Sequence, residues 1–200
     1  GWPDYAATEL ALFARELTIA VGQKVKWIRT MAQFVHDAHA NLVAVSGTHQ
    51  DITEQREAQS RIEFLAYHDP LTSLPNRVLA RERLQQALVA AARHKHHVAV
   101  LYLDLDDFKF VNDRYGHSTG DVLLKAIAHR VRSCLRAEDT LCRLSGDEFM
   151  VILPRINADH SISHACDRLV GELAVPFEVD RVQMFCSFSI GVAVYPQSGT

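Results

Sequence analysis

The run VAVLYLDLD at residues 98–106 constrains the fold of this chain more than any other feature. Its length and its β-branched residues are typical of a strand that is buried on both faces. Asp104 and Asp106 stand at its carboxyl end, where an ionised carboxylate without a partner is costly to bury. The sequence therefore predicts a central strand whose acidic end needs a compensating group.

Helices and strands alternate around this predicted strand. Predicted helices span 77–93, 121–136 and 158–173, and predicted strands span 140–144, 149–153 and 182–194. Turn-forming residues over 68–76 mark the start of this domain. The order of elements favours an α+β fold, in which an antiparallel-containing sheet carries its helices on one face.

A different arrangement is predicted before residue 51. Apolar residues at helical spacing predict a helix over 5–21, and a polar turn separates two predicted strands at 25–35 and 42–45. So short a unit buries too little surface to be stable alone, so we interpret it as the end of a larger domain. Residues 51–67 predict a polar connecting helix.

Composition excludes several classes of protein. There are 21 Lys and Arg against 24 Asp and Glu, a formal net charge of −3, which argues against a partner as acidic as nucleic acid. The longest apolar runs are far shorter than the roughly 20 residues of a membrane span. The four cysteines are widely spaced, as in proteins of a reducing compartment. We expect a soluble cytoplasmic segment, and membrane anchoring of the parent protein stays open.

Two acidic groups form the first candidate site. Asp147 and Glu148 lie in a predicted hairpin turn that contains glycine, and they join Asp104 and Asp106 if that hairpin lies beside the central strand. The four carboxylates would then form an oxygen-rich site suited to Mg²⁺. Alternatively, the acidic turn is merely exposed and the strand-end aspartates cap the next helix. The spacing alone does not decide between these readings.

A second candidate site follows the acidic strand end. A helix that starts near residue 107 would present backbone amides to phosphate groups. Asn112 and Asp121 have the donors and acceptors needed to recognise a purine edge. Alternatively, Asn112 is a residue of a helix end, and Asp121 is a first-turn charge favoured by the helix dipole.

Five strings together carry a family resemblance. They are DPLTSLPNR at 69–77, LDLDDFKFVNDRYGH at 103–117, GD at 120–121, RLSGDEF at 143–149 and SIGVA at 189–193. In order and spacing they resemble the GGDEF family of diguanylate cyclases. Two further strings, WIR at 27–29 and GTHQDITE at 47–54, resemble the end of a PAS sensory domain.

The resemblance implies three parts of the chain. Residues 1–50 would be the C-terminal part of a PAS domain, residues 51–67 a signalling linker helix, and residues 68–200 a GGDEF domain truncated before its last helix. The implied fold is α+β, with a palm-like, antiparallel-containing central sheet flanked by helices and an N-terminal PAS-tail hairpin.

The resemblance also implies an enzyme, a diguanylate cyclase that condenses two GTP molecules into cyclic di-GMP and releases pyrophosphate. Each domain would hold one GTP, so a homodimer is implied. The metal, Mg²⁺ or Mn²⁺, would be held by Asp104, the Leu105 carbonyl, Asp147 and Glu148. Either Asp147 or Glu148 would also take the proton of the attacking hydroxyl.

The remaining site residues follow from the same resemblance. The backbone at Asp107, Phe108 and Lys109 would hold the phosphates, while Asn112 and Asp121 would recognise guanine. The string RAED places Arg136 and Asp139 at the family's product-binding, inhibitory site, although such a pair is also common on protein surfaces.

The sequence departs from the family's motif at one position and leaves two alternative functions open. Ser145 stands where the family's name has glycine, and its Cβ and hydroxyl would hinder close approach of a ligand to the turn. VPFE at 175–178 and VYP at 194–196 resemble members that continue into an EAL phosphodiesterase domain. The alternatives are a catalytically weak GTP-binding module that controls such a domain, and a cyclic di-GMP receptor.

Overall fold

The structure, a computed structural model, describes residues 11–39, 41–156, 159–179 and 182–198. The chain divides into one unit of residues 1–63 and a second of residues 64–200. The first is built on an antiparallel sheet of three strands in the order β1-β2-β3. Its elements are β1 (Ala11–Val21), β2 (Lys24–His36) and β3 (Leu42–Asp51), followed by α1 (Thr53–Tyr67). The two predicted strands and the helix after residue 51 are confirmed.

The helix predicted over residues 5–21 is wrong in the part that the structure describes. Residues 11–21 form β1, which pairs with β2 along its whole length, from Val21 opposite Lys24 to Ala11 opposite Phe34. Gly22 has a φ of +62°, which permits the two-residue turn between the strands. This turn fixes a hairpin, and hairpin pairing outweighs the helical spacing of the apolar residues. Residues 5–10 lie outside the described residues.

Polar contacts secure the junction between β3 and α1. The Asp51 carboxylate accepts hydrogen bonds from the Thr53 amide at 3.0 Å and the Thr53 hydroxyl at 2.6 Å, and it pairs with the Lys26 ammonium at 2.7 Å. The Thr53 hydroxyl oxygen in turn accepts from the Trp27 amide at 2.9 Å. The start of α1 is therefore attached to β2 as well as to β3.

In its described part the second unit contains four helices and six strands. They are α2 (Arg77–His94), β4 (His97–Leu105), α3 (Phe108–Tyr115), α4 (His117–Ser133), β5 (Thr140–Ser145), β6 (Glu148–Ile156), α5 (Asp159–Leu173), β7 (Phe177–Val179), β8 (Val182–Met184) and β9 (Phe188–Tyr195). Four strands form an antiparallel sheet in the order β5-β6-β4-β9, and β7 pairs with β8. The predicted α+β fold and the central position of the 98–106 strand are confirmed.

The single strand predicted over residues 182–194 is interrupted. Residues 182–184 pair with β7, whereas residues 188–195 pair with β4 in the main sheet. The chain leaves one sheet and joins the other over residues 185–187, where Phe185 is exposed. A continuous apolar pattern does not reveal such a change of pairing partner.

Helices cover both faces of the main sheet, and the prediction that they lie on one face is wrong. Leu101, Leu103 and Leu105 of β4 pack in one buried cluster with residues of α4 and α5. Val98, on the opposite face of β4, packs in a second cluster with three alanines of α2. The physical reason lies in the strand itself, because a strand that is apolar on both faces requires cover on both.

The start of α2 is capped by a side chain. Asn76 accepts hydrogen bonds at Oδ1 from the amides of Val78 at 2.9 Å and Leu79 at 3.2 Å. Asparagine is among the residues preferred at this position because it satisfies amides that lack a partner within the helix. This cap confirms the helix start predicted at residue 77.

The described residues contain no disulfide bond and no helix of the membrane-spanning type. All four cysteines, each within the described residues, are free thiols. Burial raises the pKa of the Cys142 thiol to about 12, so this group is unreactive at neutral pH. No helix in the described ranges has both the length and the apolar character needed to cross a membrane.

Arg130 of α4 fastens the C-terminal end of α5. Its guanidinium donates to the carbonyl oxygens of Val175, Pro176 at 3.0 Å and Glu172 at 3.3 Å. The guanidinium carbon also lies 3.6 Å from the centroid of the Phe177 ring. One side chain therefore satisfies three carbonyl groups and packs on an aromatic face.

We expect Arg130→Ala to destabilise the second unit by about 2 kcal/mol, because the three carbonyl groups lose their charged donor. Thermal or urea unfolding followed by circular dichroism measures this change. Lys125→Ala, at an exposed position of the same helix, is the matched control. Equal stability of the two variants would contradict the role of Arg130.

Candidate active site

The antiparallel register of β4 and β6 brings the acidic groups together. Asp104 lies opposite Glu148, and Asp147 occupies the turn between β5 and β6. Burial raises the pKa of Asp104, and the negative charges of Asp147, Glu148 and Asp106 raise it further. The convergence predicted from the sequence is therefore present, and the site concentrates negative charge at one end of the central strand.

Glu148 is the most heavily contacted carboxylate of this group. The Ser145 hydroxyl donates to its Oε2, and Arg77 Nη2 lies 3.8 Å from the same oxygen. Hydrogen bonds from Ser145 and from Tyr102 lower the pKa of Glu148. The same bond to Glu148 raises the pKa of Tyr102 to about 12.

Sequence reasoning did not identify Tyr102 or Arg77 as part of this site. A signal for Tyr102 was present, because residues two apart on a strand share a face and Tyr102 is two residues before Asp104. Arg77 is the first residue of α2 and is distant in sequence from the acidic turn. Only the packed structure shows that proximity.

The turn accommodates Ser145 without strain. Gly146 is the turn residue with a left-handed backbone, at a φ of +43°, and Ser145 is not among the residues with positive φ. Glycine is therefore required by the backbone at the second position of the turn and not at the first. The hydroxyl that the serine adds is directed to Glu148.

Arg143 clamps the acidic turn to the segment that precedes α2. Its Nε and Nη2 donate to the Gly146 carbonyl oxygen at 2.9 and 2.7 Å, and its Nη1 donates to both oxygens of Asp69 at 3.0 Å. Asp69 also accepts from the Thr72 amide at 2.7 Å and the Thr72 hydroxyl at 2.6 Å. The segment at residues 69–77, to which the sequence analysis assigned no role in a site, thus supports the acidic turn.

The strand end and α3 form the second candidate region. Asp106 accepts from the Ser189 hydroxyl at 2.8 Å, so its carboxylate is held by β9. Hydrogen bonds from Ser187 and Ser189 lower the pKa of Asp106. Asp107 has a φ of +55° and precedes α3 without a side-chain bond to the helix amides. The first amides of α3, at Phe108 and Lys109, therefore have no side-chain cap from Asp107.

Asn112 and Asp121 lie on neighbouring helices. The Asn112 amide of α3 lies against the buried backbone of Gly120 in α4. Asp121 is the next residue along α4 and is exposed. The two predicted base-recognition residues therefore lie on the two helices that meet at Gly120, and Asp121 is its neighbour in the chain.

Asp139, which the resemblance implies as a product-binding residue, makes structural contacts. Its Oδ2 accepts from the Arg136 amide at 2.9 Å, and Arg132 Nη1 donates to its carbonyl oxygen at 2.8 Å. Burial raises the pKa of Asp139 against the lowering effect of the Arg136 amide. The cavity beside it is lined by Arg136, Asp139, Arg155, His164 and Arg168, among others. The sequence analysis missed the last three residues, which come from two other elements.

The donor set at the strand end fits a hard divalent cation. Carboxylate and carbonyl oxygens are the ligands such ions prefer, and a cation would relieve the repulsion that raises the pKa of Asp104. Among the residues that the structure describes, no three His, Cys, Asp or Glu side chains are already grouped as a metal cage. Binding would therefore require other oxygens, such as a backbone carbonyl or phosphates, to complete the coordination.

We expect Asp69→Asn to lower the free energy of unfolding of the second unit by about 1–3 kcal/mol at pH 7, because Arg143 loses a charged acceptor. Burial opposes the ionisation of Asp69, but the bonds from Thr72 and Arg143 prevail and lower its pKa. Such a group stabilises the folded state above its unfolded-state pKa, and the contribution is lost as the pH falls through the folded-state pKa.

The stability difference between the wild type and Asp69→Asn should therefore shrink steadily as the pH falls below 4, by about the full difference at the lowest pH. Denaturant titrations at a series of pH values measure it. Asp167→Asn, at an exposed position of α5, controls for the general loss of a carboxylate. A difference that is independent of pH would exclude this account.

Comparison with known proteins identifies a family model that covers most of the second unit. The model described as "Diguanylate cyclase, GGDEF domain" matches residues 66–200. The chain is 43% identical over 147 residues to the bifunctional diguanylate cyclase/cyclic di-GMP phosphodiesterase MucR of Pseudomonas aeruginosa. The match covers 74% of this chain and 21% of that protein, so the chain spans about a fifth of the length of this relative.

Solved structures agree with the family match. The GGDEF domain of TpbB (YfiN) from Pseudomonas aeruginosa superposes with a TM-score of 0.64 at 41% identity, over 66% of this chain and 77% of that one. The GGDEF domain of DgcB from Caulobacter crescentus, in complex with c-di-GMP, superposes with a TM-score of 0.59 at 26% identity, over 64% and 77% of the two chains. The fold of the second unit is therefore shared with both structures.

Proposed function

The chain belongs to the GGDEF family of diguanylate cyclases, and on that premise we propose that it condenses two GTP molecules into cyclic di-GMP. One observation carries the proposal. Asp104 faces Glu148 across two paired strands, with Asp147 in the adjoining turn. Carboxylates grouped in this way at the end of a buried strand hold a divalent cation against phosphate oxygens.

We assign the metal-binding role to Asp104, the Leu105 carbonyl, Asp147 and Glu148. A bound Mg²⁺ or Mn²⁺ would cancel negative charge that develops on the phosphate during the reaction. The raised pKa of Asp104 supports the assignment, because burial and the negative charges of Asp147, Glu148 and Asp106 all disfavour its charged form and a bound cation would offset both effects. Arg77 and the Ser145 hydroxyl hold Glu148 in place.

The residues around the strand end would orient the nucleotide. Backbone amides at Asp107, Phe108 and Lys109, at the start of α3, hold phosphate oxygens. Asn112 and Asp121 recognise guanine, because a carboxylate accepts from its two adjacent donors and an amide both donates and accepts. These contacts fix the α-phosphate relative to the acidic groups.

In the chemical step the 3′-hydroxyl oxygen of one GTP forms a bond to the α-phosphorus of the other. The bond from that phosphorus to the bridging oxygen breaks, pyrophosphate leaves, and a carboxylate at Asp147 or Glu148 takes the hydroxyl proton. A second, equivalent step closes the ring. Since each domain holds one GTP, two copies must meet face to face, and we propose a homodimer as the active form.

We expect Asp147→Asn to lower the turnover by at least about 100-fold, because the uncharged amide binds the cation more weakly and cannot take the proton. The full chain is incubated with Mg²⁺ and GTP, and cyclic di-GMP is quantified by mass spectrometry. Asp167→Asn is the control and should retain wild-type turnover. Wild-type turnover in Asp147→Asn would refute the metal assignment.

The same assay separates the cyclase from the alternative of a GTP-binding regulatory module. The relative MucR is bifunctional, with a phosphodiesterase activity beside its cyclase activity. Cyclic di-GMP that accumulates with the wild-type chain supports the cyclase and shows that Ser145 is tolerated. GTP that is retained but not converted supports the regulatory alternative.

We further propose that the product binds at Arg136 and Asp139. Three arginines and a histidine converge on one cavity beside these residues, a composition suited to phosphate groups. The DgcB domain, which shares the fold, is solved in complex with c-di-GMP. Bound product would then inhibit further synthesis.

We expect Arg136→Ala to weaken product inhibition by about tenfold or more, because a phosphate loses its guanidinium partner. Initial rates are measured against added cyclic di-GMP. Arg81→Ala, at an exposed position of α2, is the control for loss of a surface arginine. An unchanged inhibition curve for Arg136→Ala would exclude this site.

We propose that residues 1–50 are the C-terminal part of a PAS domain and that residues 51–67 link it to the GGDEF domain of residues 68–200. The three-stranded sheet followed directly by α1 supports this division. The polar junction at Asp51 and Thr53 is the point at which the sheet and the helix are attached.

A further inference from the structure

Gly120 marks the closest approach between α3 and α4. A Cβ atom built on it would overlap Oδ1 of Asn112 and would lie 3.2 Å from both Cγ of Asn112 and Cζ of Phe108. Gly120 is buried, whereas Asn112 is half-buried. The Asn112 amide therefore occupies the space that any other residue at position 120 would fill.

The backbone conformation does not explain the glycine. Gly120 lies within the helix His117–Ser133 and is not among the glycines with positive φ. Within a helix, glycine is less favourable than alanine, because it loses more conformational freedom on folding. The missing side chain at this position leaves room for the Asn112 amide and does not stabilise the helix.

This contact lies next to both residues proposed to recognise the base. Asn112 lies against Gly120 from α3, and Asp121 follows Gly120 on α4 and is exposed. Gly120 therefore sets how closely the Asn112 amide can approach the α4 backbone next to Asp121. Recognition of guanine requires both groups in one arrangement, because its edge presents donors and acceptors at fixed spacing.

We infer that Gly120 is a positioning residue for guanine selectivity, which seats the Asn112 amide beside Asp121. The inference rests on the proposed function, since it deepens the same nucleotide site. An alanine at position 120 would displace the end of the Asn112 side chain, because that amide can rotate away whereas the helix backbone cannot. The fold should therefore survive the substitution while base recognition does not.

The test measures binding of two nucleotides that cannot react. In 3′-deoxy-GTP and 3′-deoxy-ATP the attacking hydroxyl is missing, so binding to the full chain with Mg²⁺ is measured by calorimetry without turnover. For Gly120→Ala we expect the affinity for 3′-deoxy-GTP to fall by about tenfold, as for the loss of one or two hydrogen bonds to the base. The affinity for 3′-deoxy-ATP should not change, because the phosphate contacts are intact.

A double variant shows whether the effect passes through Asn112. Gly120→Ala combined with Asn112→Ala should bind 3′-deoxy-GTP no more weakly than Asn112→Ala alone, since the displaced amide is already absent. Gly171→Ala is the matched control, because Gly171 lies in helix α5 with nothing within 4 Å of its Cβ position. It should bind both nucleotides as the wild type does.

The outcomes separate the two ideas. Wild-type selectivity in Gly120→Ala, an equal loss for both nucleotides, or additive losses in the double variant would each overturn the role of Gly120 and leave the proposed function standing. A wild-type chain that binds neither nucleotide would overturn the proposed function, and this inference with it.

Discussion

The pairing of β4 with β6 is the constraint on which the rest of the second unit depends. Leu101 and Leu103 of β4 are buried in the main cluster, and their packing fixes which face of the strand lies against α4 and α5. Once the register is fixed, Asp104 must lie opposite Glu148. The hydrophobic core therefore determines the geometry of the charged site, because a slip of one residue would turn these carboxylates to the other face.

Neighbouring polar and charged side chains offset the repulsion among the carboxylates of the site. Burial and repulsion among the carboxylates raise the pKa of Asp104, while Ser145, Tyr102 and Arg77 contact Glu148. Arg143 holds the backbone of the turn through the Gly146 carbonyl, and its Nη1 donates to Asp69. Side chains far apart in sequence thus maintain a charge distribution that the strands alone would not tolerate.

The sequence predicted the helices and strands better than it predicted which strands pair and which side chains meet. The buried strand at 98–106, the helix start at residue 77 and the acidic turn were all correctly placed, because each depends on local pattern or turn chemistry. The helix expected at 5–21 was wrong, since long-range pairing with β2 decided the conformation. The break at residues 185–187 was missed for the same reason. Likewise, the contacts of Arg77 and Arg143 join segments whose proximity no local pattern encodes.

The two glycine positions of the acidic turn differ in what they demand of a side chain. The second, Gly146, has a left-handed backbone that any other residue would strain, whereas the first does not have a positive φ and here carries serine. A substitution at the first glycine position of the motif therefore does not strain the backbone, while a substitution at the second distorts the hairpin. A survey that required glycine at both letters would discard chains whose acidic turn is geometrically intact.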